Sequence, residues 1–315
     1  MRILDSKDVR ALVTMADAIA ALRDGYRASV AEPALVPART IISPPGSHAY
    51  LGAMPAYGGR DGKFVVKVAA LHLHEGETAP ATMHSLVTVQ DGATGQFQAL
   101  IEGNSLTSLR TGATSALVTD LLAPADADTV AIIGSGAQAL TQLEAMCAVR
   151  PIRRAHIFSR NAANVLAFIR RASAVDGISC ELLAAPSLRD TLEGAAIVCT
   201  ATTAETPLFE ADALPARCHI NAVGNHTDES IEVGKSVLEH AFLAVEERAA
   251  AIREAGEFNR RAVEIGELLT RATLPAPSGH SVFVSVGTAF QDLCIATLIQ
   301  QRAAQAQAGQ LIEFA

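Results

Sequence analysis

Lys67 stands in the run Phe64-Val65-Val66-Lys67-Val68-Ala69-Ala70-Leu71, where apolar neighbours on both sides predict burial. A buried ammonium needs an anionic partner or a lowered pKa, and either condition suits the carboxylate of an amino or imino acid. Arg39 and Arg110 are further cations around the same candidate pocket. Arg110 is expected to open the small-residue helix of Leu106 to Ala113, from where its guanidinium can fork onto a carboxylate. Gly224-Asn225-His226-Thr227-Asp228 follows a predicted strand, at the strand end where open α/β sheets bind ligands. An imidazole placed there exchanges protons near neutral pH. The structural alternatives are a solvated strand lysine, a capping or salt-bridging Arg110 and a hydrogen-bonding His226. His72 and His74 share one strand face, followed by Glu75, but no third ligand is specified and polar packing is the better reading than metal.

A second constellation is Gly134-x-Gly136-x-x-Ala139, which follows the apolar run Thr129-Val130-Ala131-Ile132-Ile133 and precedes a helical pattern. In that setting the first glycine permits a tight turn and the second lets the backbone approach a pyrophosphate. The small third residue brings the helix close to the sheet, and the N–H groups opening the helix bind phosphate. About 20 residues on, an NAD site carries Asp or Glu for the ribose 2′-hydroxyl. This chain has Ser159 and Arg160. A hydroxyl and a guanidinium suit a 2′-phosphate that a carboxylate would repel, so NADP(H) is preferred and NAD(H) is admitted; the alternative for Arg160 is a solvated surface charge.

The elements that must hold these residues alternate. Strands are predicted at 129–133, 155–158, 181–184, 196–200 and 219–223, with helices after Gly136, over 161–175 and from Ser187. Such βαβ units specify an α/β doubly wound parallel sheet of the Rossmann kind. The first 125 residues read as α+β: a helix from Met15 to about Val30, extended segments near 39–43 and 63–73, and a strand around Leu86 to Val89 closed by Asp91, Gly92 and Gly95. Pro124 to Asp128 forms a polar joint. A strand at 282–284 leads into a helix over 288–304 that can return to the first domain. The expected domains are therefore 1–125 with 287–315, and 126–286.

The chain has 315 residues, 50% hydrophobic and 18% charged, with a formal net charge of −8. This is a globular composition, and its charge disfavours nucleic acid and anionic membranes as partners. No stretch supplies the roughly 20 apolar residues of a transmembrane helix, and acidic residues interrupt the first eight positions, so a cytoplasmic protein is expected. The five cysteines are odd in number and form no CxxC pair, which fits reduced thiols used in packing.

Taken in order, the lysine strand, the segment Thr82–Gly95, SLTSLRTGATSA at 105–116, GSGAQA at 134–139, AVGNH at 222–226 and SVFVSVGTAFQD at 281–292 resemble the ornithine cyclodeaminase and μ-crystallin family over nearly the whole chain. The resemblance implies a homodimer with a substrate-binding and dimerisation domain beside the dinucleotide domain. It matches Arg39, Lys67 and Arg110 to substrate-binding positions, and Thr82, Ala137, Gln138, Thr200, Val223 and Ser285 to cofactor contacts. Members include ketimine and pyrroline-2-carboxylate reductases, alanine dehydrogenase, ornithine cyclodeaminase and a hormone-binding crystallin. Cyclodeaminases similar to this chain place Asp where His226 stands and carry a Glu near Met54, where this chain reads Leu51-Gly52-Ala53-Met54-Pro55. These departures favour NAD(P)H-dependent reduction of cyclic ketimino acids, or related amino-acid dehydrogenation, with Lys67 or His226 as proton donor. Cyclodeamination of ornithine with bound NAD, and NADPH-dependent binding of a small ligand without turnover, are the alternatives.

Overall fold

The computed structural model describes residues 1–46, 49–72, 82–224, 227, 231–273 and 279–313, with Thr82 described by its backbone only. The chain forms two compact units, Met1–Arg110 with Thr288–Ala315, and Thr111–Gly287.

The first unit holds β1 (Arg2–Leu4), α1 (Ser6–Leu12), α2 (Met15–Ser29), β2 (Thr40–Ile42), β3 (Ala49–Gly58), β4 (Lys63–His72), β5 (Thr82–Asp91) and β6 (Phe97–Glu102). It also holds the start of α3 (Gly103–Leu122), and α10 (Ala289–Ala306) and β15 (Gln310–Leu311) from the far end of the chain. Its sheet runs β15-β1-β6-β5-β4-β3-β2, antiparallel except for β1 beside β6. One face, with Met54, Val65, Val87, Val89 and Ile101, is buried, and α10 packs on this sheet through a buried stripe that includes Leu293 and Ile299. The rings of Tyr26 and Phe290, 4.8 Å apart, join α2 to α10.

Strand β3 is absent from the sequence reading, and it contains Gly52 and Pro55, residues disfavoured inside strands. It nevertheless pairs with β4 over its full length. The Tyr57 N–H bonds to Leu35, on the side away from β4, so the nitrogen of Pro55 points to that side too. There the pairing lapses between Leu35 and Thr40, and no ladder bond is lost.

The second unit holds β7 (Thr129–Ile133), α4 (Ala137–Val149), β8 (Arg154–Phe158), α5 (Ala162–Ala172), β9 (Glu181–Ala184), α6 (Leu188–Leu192) and β10 (Ile197–Thr200). After these come β11 (His219–Ala222), α7 (Lys235–His240), β12 (Phe242–Val245), α8 (Arg248–Ala255), β13 (Val263–Glu264), α9 (Ile265–Thr270) and β14 (Ser281–Val284). All pairings in this sheet are parallel, in the order β13-β12-β14-β11-β10-β7-β8-β9. Read from β7, the strands β9-β8-β7-β10-β11 follow the doubly wound 3-2-1-4-5 order, with the topological switch between β7 and β10. Strands β7, β10, β11 and β14 are buried along their whole length, which explains the apolar runs of β7, β10 and β14; in β11 the buried His219 and Asn221 alternate with apolar residues.

Two boundaries differ from expectation. Arg110 does not open its helix: α3 starts at Gly103, where the Glu102 carboxylate accepts the N–H groups of Asn104 and Ser105 at 2.8 Å. The joint expected at 124–128 lies inside the second unit, where the guanidinium of Arg150 bonds to the chain on its N-terminal side. It donates to the carbonyls of Thr119, Asp120, Ala123 and Pro124 at 2.8–3.1 Å and to the Asp120 carboxylate at 2.8 Å, tying the C-terminal end of α3 to the end of α4.

Candidate functional site

Lys67 leaves the middle of β4 on the face covered by α10, and only 4% of it is exposed. Its Nζ lies 2.8 Å from Oδ2 of Asp292 in the first turn of α10. Arg110 places Nε 3.4 Å from Oδ1 of the same carboxylate and donates from Nη1 to Oε1 of Gln291 at 3.0 Å. Gln291 Oε1 also accepts the Thr288 N–H as α10 begins. Asp292 and Gln291 are fully buried. Burial pulls the Lys67 pKa down to about 8, with Arg110 and Arg39 adding repulsion and Asp292 opposing them. Arg110 and Arg39 thus both act on Lys67 within one unit, and Lys67 and Arg110 share a carboxylate that the sequence reading did not assign. Asp292 lay inside the quoted segment SVFVSVGTAFQD, but no local pattern marks which side chain of α10 meets Lys67.

The glycine turn of the second unit has the form that a dinucleotide requires. Gly134 has φ +123°, and a Cβ there would sit 2.4 Å from the carbonyl oxygen of Ala201, so only glycine fits. A Cβ on Gly136 would meet nothing within 4 Å; this glycine serves as N-cap of α4 without a side-chain cap, leaving open space before N–H groups that can receive an anion. Ala137 and Gln138 begin α4, and Gln138 Oε1 is buried with no hydrogen-bond partner among the described residues. Ala139 is fully buried. Ser159 and Arg160 follow β8; Ser159 Oγ accepts from Ser135 Oγ at 3.2 Å, and Arg160 is exposed. These features fit a dinucleotide.

Thr200 closes β10, and the Val223 N–H, just past β11, bonds to the Thr200 carbonyl at 3.0 Å. Ser285 donates its hydroxyl to the buried Glu246 at 2.6 Å, which also accepts the N–H groups of Val286 and Gly287. Thr82 opens β5 opposite His72. His226, Asn225 and His74 lie outside the described residues. Sequence reasoning missed Glu232, whose fully buried carboxylate accepts the Thr202 N–H at 2.7 Å, the Thr202 hydroxyl at 2.5 Å and the Gly224 N–H at 3.0 Å. Burial raises its pKa against these bonds. It joins the loops after β10 and β11, and a Cβ on Gly224 would collide with it. Among the described residues no three side chains gather as metal ligands, and no helix is long and apolar enough to cross a membrane.

A parallel sheet in doubly wound order with a glycine turn at its first strand, and a separate unit with a buried lysine–arginine–aspartate cluster, define a two-unit α/β protein of the dinucleotide-binding class. The chain belongs to the ornithine cyclodeaminase/mu-crystallin family, which it matches over residues 1–307. It is 29% identical over 267 residues to the ketimine reductase mu-crystallin of Mus musculus, covering 84% of this chain and 83% of that one. The structure of Thermococcus litoralis Δ1-pyrroline-2-carboxylate reductase with NADH and L-proline superposes with a TM-score of 0.89 at 27% identity, over 99% of this chain and 100% of that one. A lysine cyclodeaminase that recognises L-lysine, L-ornithine and L-2,4-diaminobutyric acid gives a TM-score of 0.87 at 27% identity, over 100% of this chain and 96% of that one.

Proposed function

We propose that this protein is an NAD(P)H-dependent oxidoreductase that reduces the C=N bond of small cyclic ketimino acids of the pyrroline-2-carboxylate type. The observation that carries the reading is the buried Lys67, held 2.8 Å from Asp292 beside Arg110 with a pKa near 8. Such a group is a cation for a substrate carboxylate and a proton donor at neutral pH. Lys67, Arg110 and Arg39 bind the carboxylate, Arg110 by its planar fork. Asp292 keeps Lys67 oriented and charged despite its burial. The chemistry that a nicotinamide dinucleotide would supply here is hydride for the imine carbon, while Lys67 or His226 would give the proton to the imine nitrogen. Gly134, Gly136, Ala137, Gln138, Ser159, Arg160, Thr200, Val223 and Ser285, with Thr82, hold the dinucleotide. Positioning and preorganised charge account for most of the acceleration.

NADP(H) is the preferred cofactor in this reading, because Ser159 and Arg160 occupy the ribose end of β8 where no carboxylate stands. A homodimer is proposed on the outer face of the seven-stranded sheet. Ala53, Val68 and Leu86 align across β3, β4 and β5 there, opposite the face that includes the buried Val65, Val87 and Val89, and Leu86 is 41% exposed. An apolar sheet face of this kind calls for a cover, and one related solved structure is described as an alanine dehydrogenase dimer.

Following reduced-nicotinamide absorbance with a panel of cyclic ketimines tests the function. Rapid oxidation of NADPH with pyrroline-2-carboxylate or its six-membered homologue is expected. Ammonia and proline from ornithine without net cofactor change would replace the reading by cyclodeamination, and binding of both ligands without either reaction would make the protein a carrier. His226→Asp is expected to narrow the gap between ketimine and ornithine, since a carboxylate 4 Å from an amine contributes about 4 kcal/mol at an effective dielectric near 20.

A further inference from the structure

Arg171, in the last turn of α5, reaches back to the glycine turn and donates from Nη2 to the carbonyl oxygen of Ser135 at 2.6 Å. Ser135 is the residue between Gly134 and Gly136, and its hydroxyl lies 3.2 Å from that of Ser159. Two hydroxyls and a guanidinium therefore meet beside the turn, with Arg160 next to Ser159 in the chain. The Ser135 carbonyl is the one hydrogen-bond partner of the Arg171 guanidinium among the described residues, and a guanidinium carries five N–H donors, so most of its donors stay available. Arg160 makes no hydrogen bond or ion pair among the described residues, and both guanidinium groups are exposed.

In a doubly wound sheet the turn after the first strand and the end of the second flank the adenosine ribose of the dinucleotide. We infer that Arg171 is a specificity-determining residue: together with Arg160, Ser135 and Ser159 it forms a subsite for a phosphomonoester dianion on the ribose 2′ oxygen. The inference rests on the proposed NADP(H) preference and extends it to a residue 11 positions beyond Arg160, on a different element. Two guanidinium groups can share the phosphate oxygens by charge-assisted hydrogen bonds, while the bond to the Ser135 carbonyl sets the position of one of them.

Calorimetric titration of the whole protein with 2′,5′-ADP and with 5′-AMP, which lacks the 2′-phosphate, separates the possibilities without turnover. Wild type is expected to bind 2′,5′-ADP at least tenfold more tightly. Arg171→Met, which keeps the packing stem, is expected to weaken 2′,5′-ADP about tenfold and leave 5′-AMP within twofold. An equal loss for both ligands would make Arg171 a brace for the glycine turn and overturn the inference. Loss of the preference in Arg160→Met but not in Arg171→Met would overturn it while sparing the NADP(H) reading. Equal affinities in wild type would remove that reading and this inference together.

Discussion

An ammonium sealed between a β-strand and a helix is costly unless a carboxylate shares its enclosure, and Asp292 fills that role for Lys67. The balance is incomplete. With its pKa pulled from 10.5 to about 8, protonated Lys67 costs the folded state about 3 kcal/mol at neutral pH. Since the folded pKa lies below the unfolded one, that cost is full below about pH 8 and is relieved as pH climbs toward 10.5. Catalysis follows the opposite course, because the cation that binds the carboxylate disappears over the same range. In the free enzyme kcat/KM is expected to fall through an apparent pKa near 8. Lys67→Arg, which cannot deprotonate, should move that limb out of range. Lys67→Met is expected to abolish turnover while NADPH affinity, followed by the cofactor's own fluorescence, stays within a few-fold; a profile flat to pH 10 in wild type would detach Lys67 from the reaction.

At the scale of elements, two turns are held by single residues. Gly134 cannot take a side chain: its φ of +123° and the Ala201 carbonyl 2.4 Å from the position of a Cβ combine a backbone penalty with a steric one. Gly134→Ala is expected to lose roughly 2–3 kcal/mol of stability and to weaken dinucleotide binding more than tenfold, read by denaturant titration and by fluorescence. Gly136→Ala meets no protein atom, so it should fold normally and weaken only the cofactor. Arg150 is the other such residue. Buried itself, it satisfies the terminal carbonyls of α3, and Arg150→Ala is expected to cost about 3 kcal/mol, seen as a lowered denaturation midpoint. Helix α3 is buried almost throughout from Arg110 to Thr119, so its sequence has no polar face to mark where it starts. This is why Arg110 is misread as its first turn.

For the whole molecule, the outer sheet face sets the expected assembly. Val68 lies beside Ala53 on one side and Leu86 on the other, and a charge at its centre would be buried unpaired in any face-to-face dimer. Val68→Asp is expected to convert a dimer in sedimentation velocity into a monomer with the far-ultraviolet spectrum of wild type. A wild-type monomer at micromolar concentration would remove the dimer from the proposal.

Six of the eight strands described in the parallel sheet were legible, because apolar runs, glycine turns and helical periodicity are local signals that act over a few residues; β12 and β13, at one edge of the sheet, were not read. Strands at 129–133 and 181–184 stand where the pattern places them, and the helix predicted from Ser187 takes Ser187 as its cap. The cations Lys67 and Arg110 were legible too, from charge set in apolar or small-residue surroundings. What tertiary structure alone decided is which anions face them. Asp292 is more than 180 residues from Arg110 in sequence, Glu232 joins loops about 20 residues apart, and Arg171 returns across 36 residues to the glycine turn. Hydrogen bonds and ion pairs depend on distances of about 3 Å between side chains brought together by packing, and no periodicity in a chain encodes a distance between elements that meet only when folded.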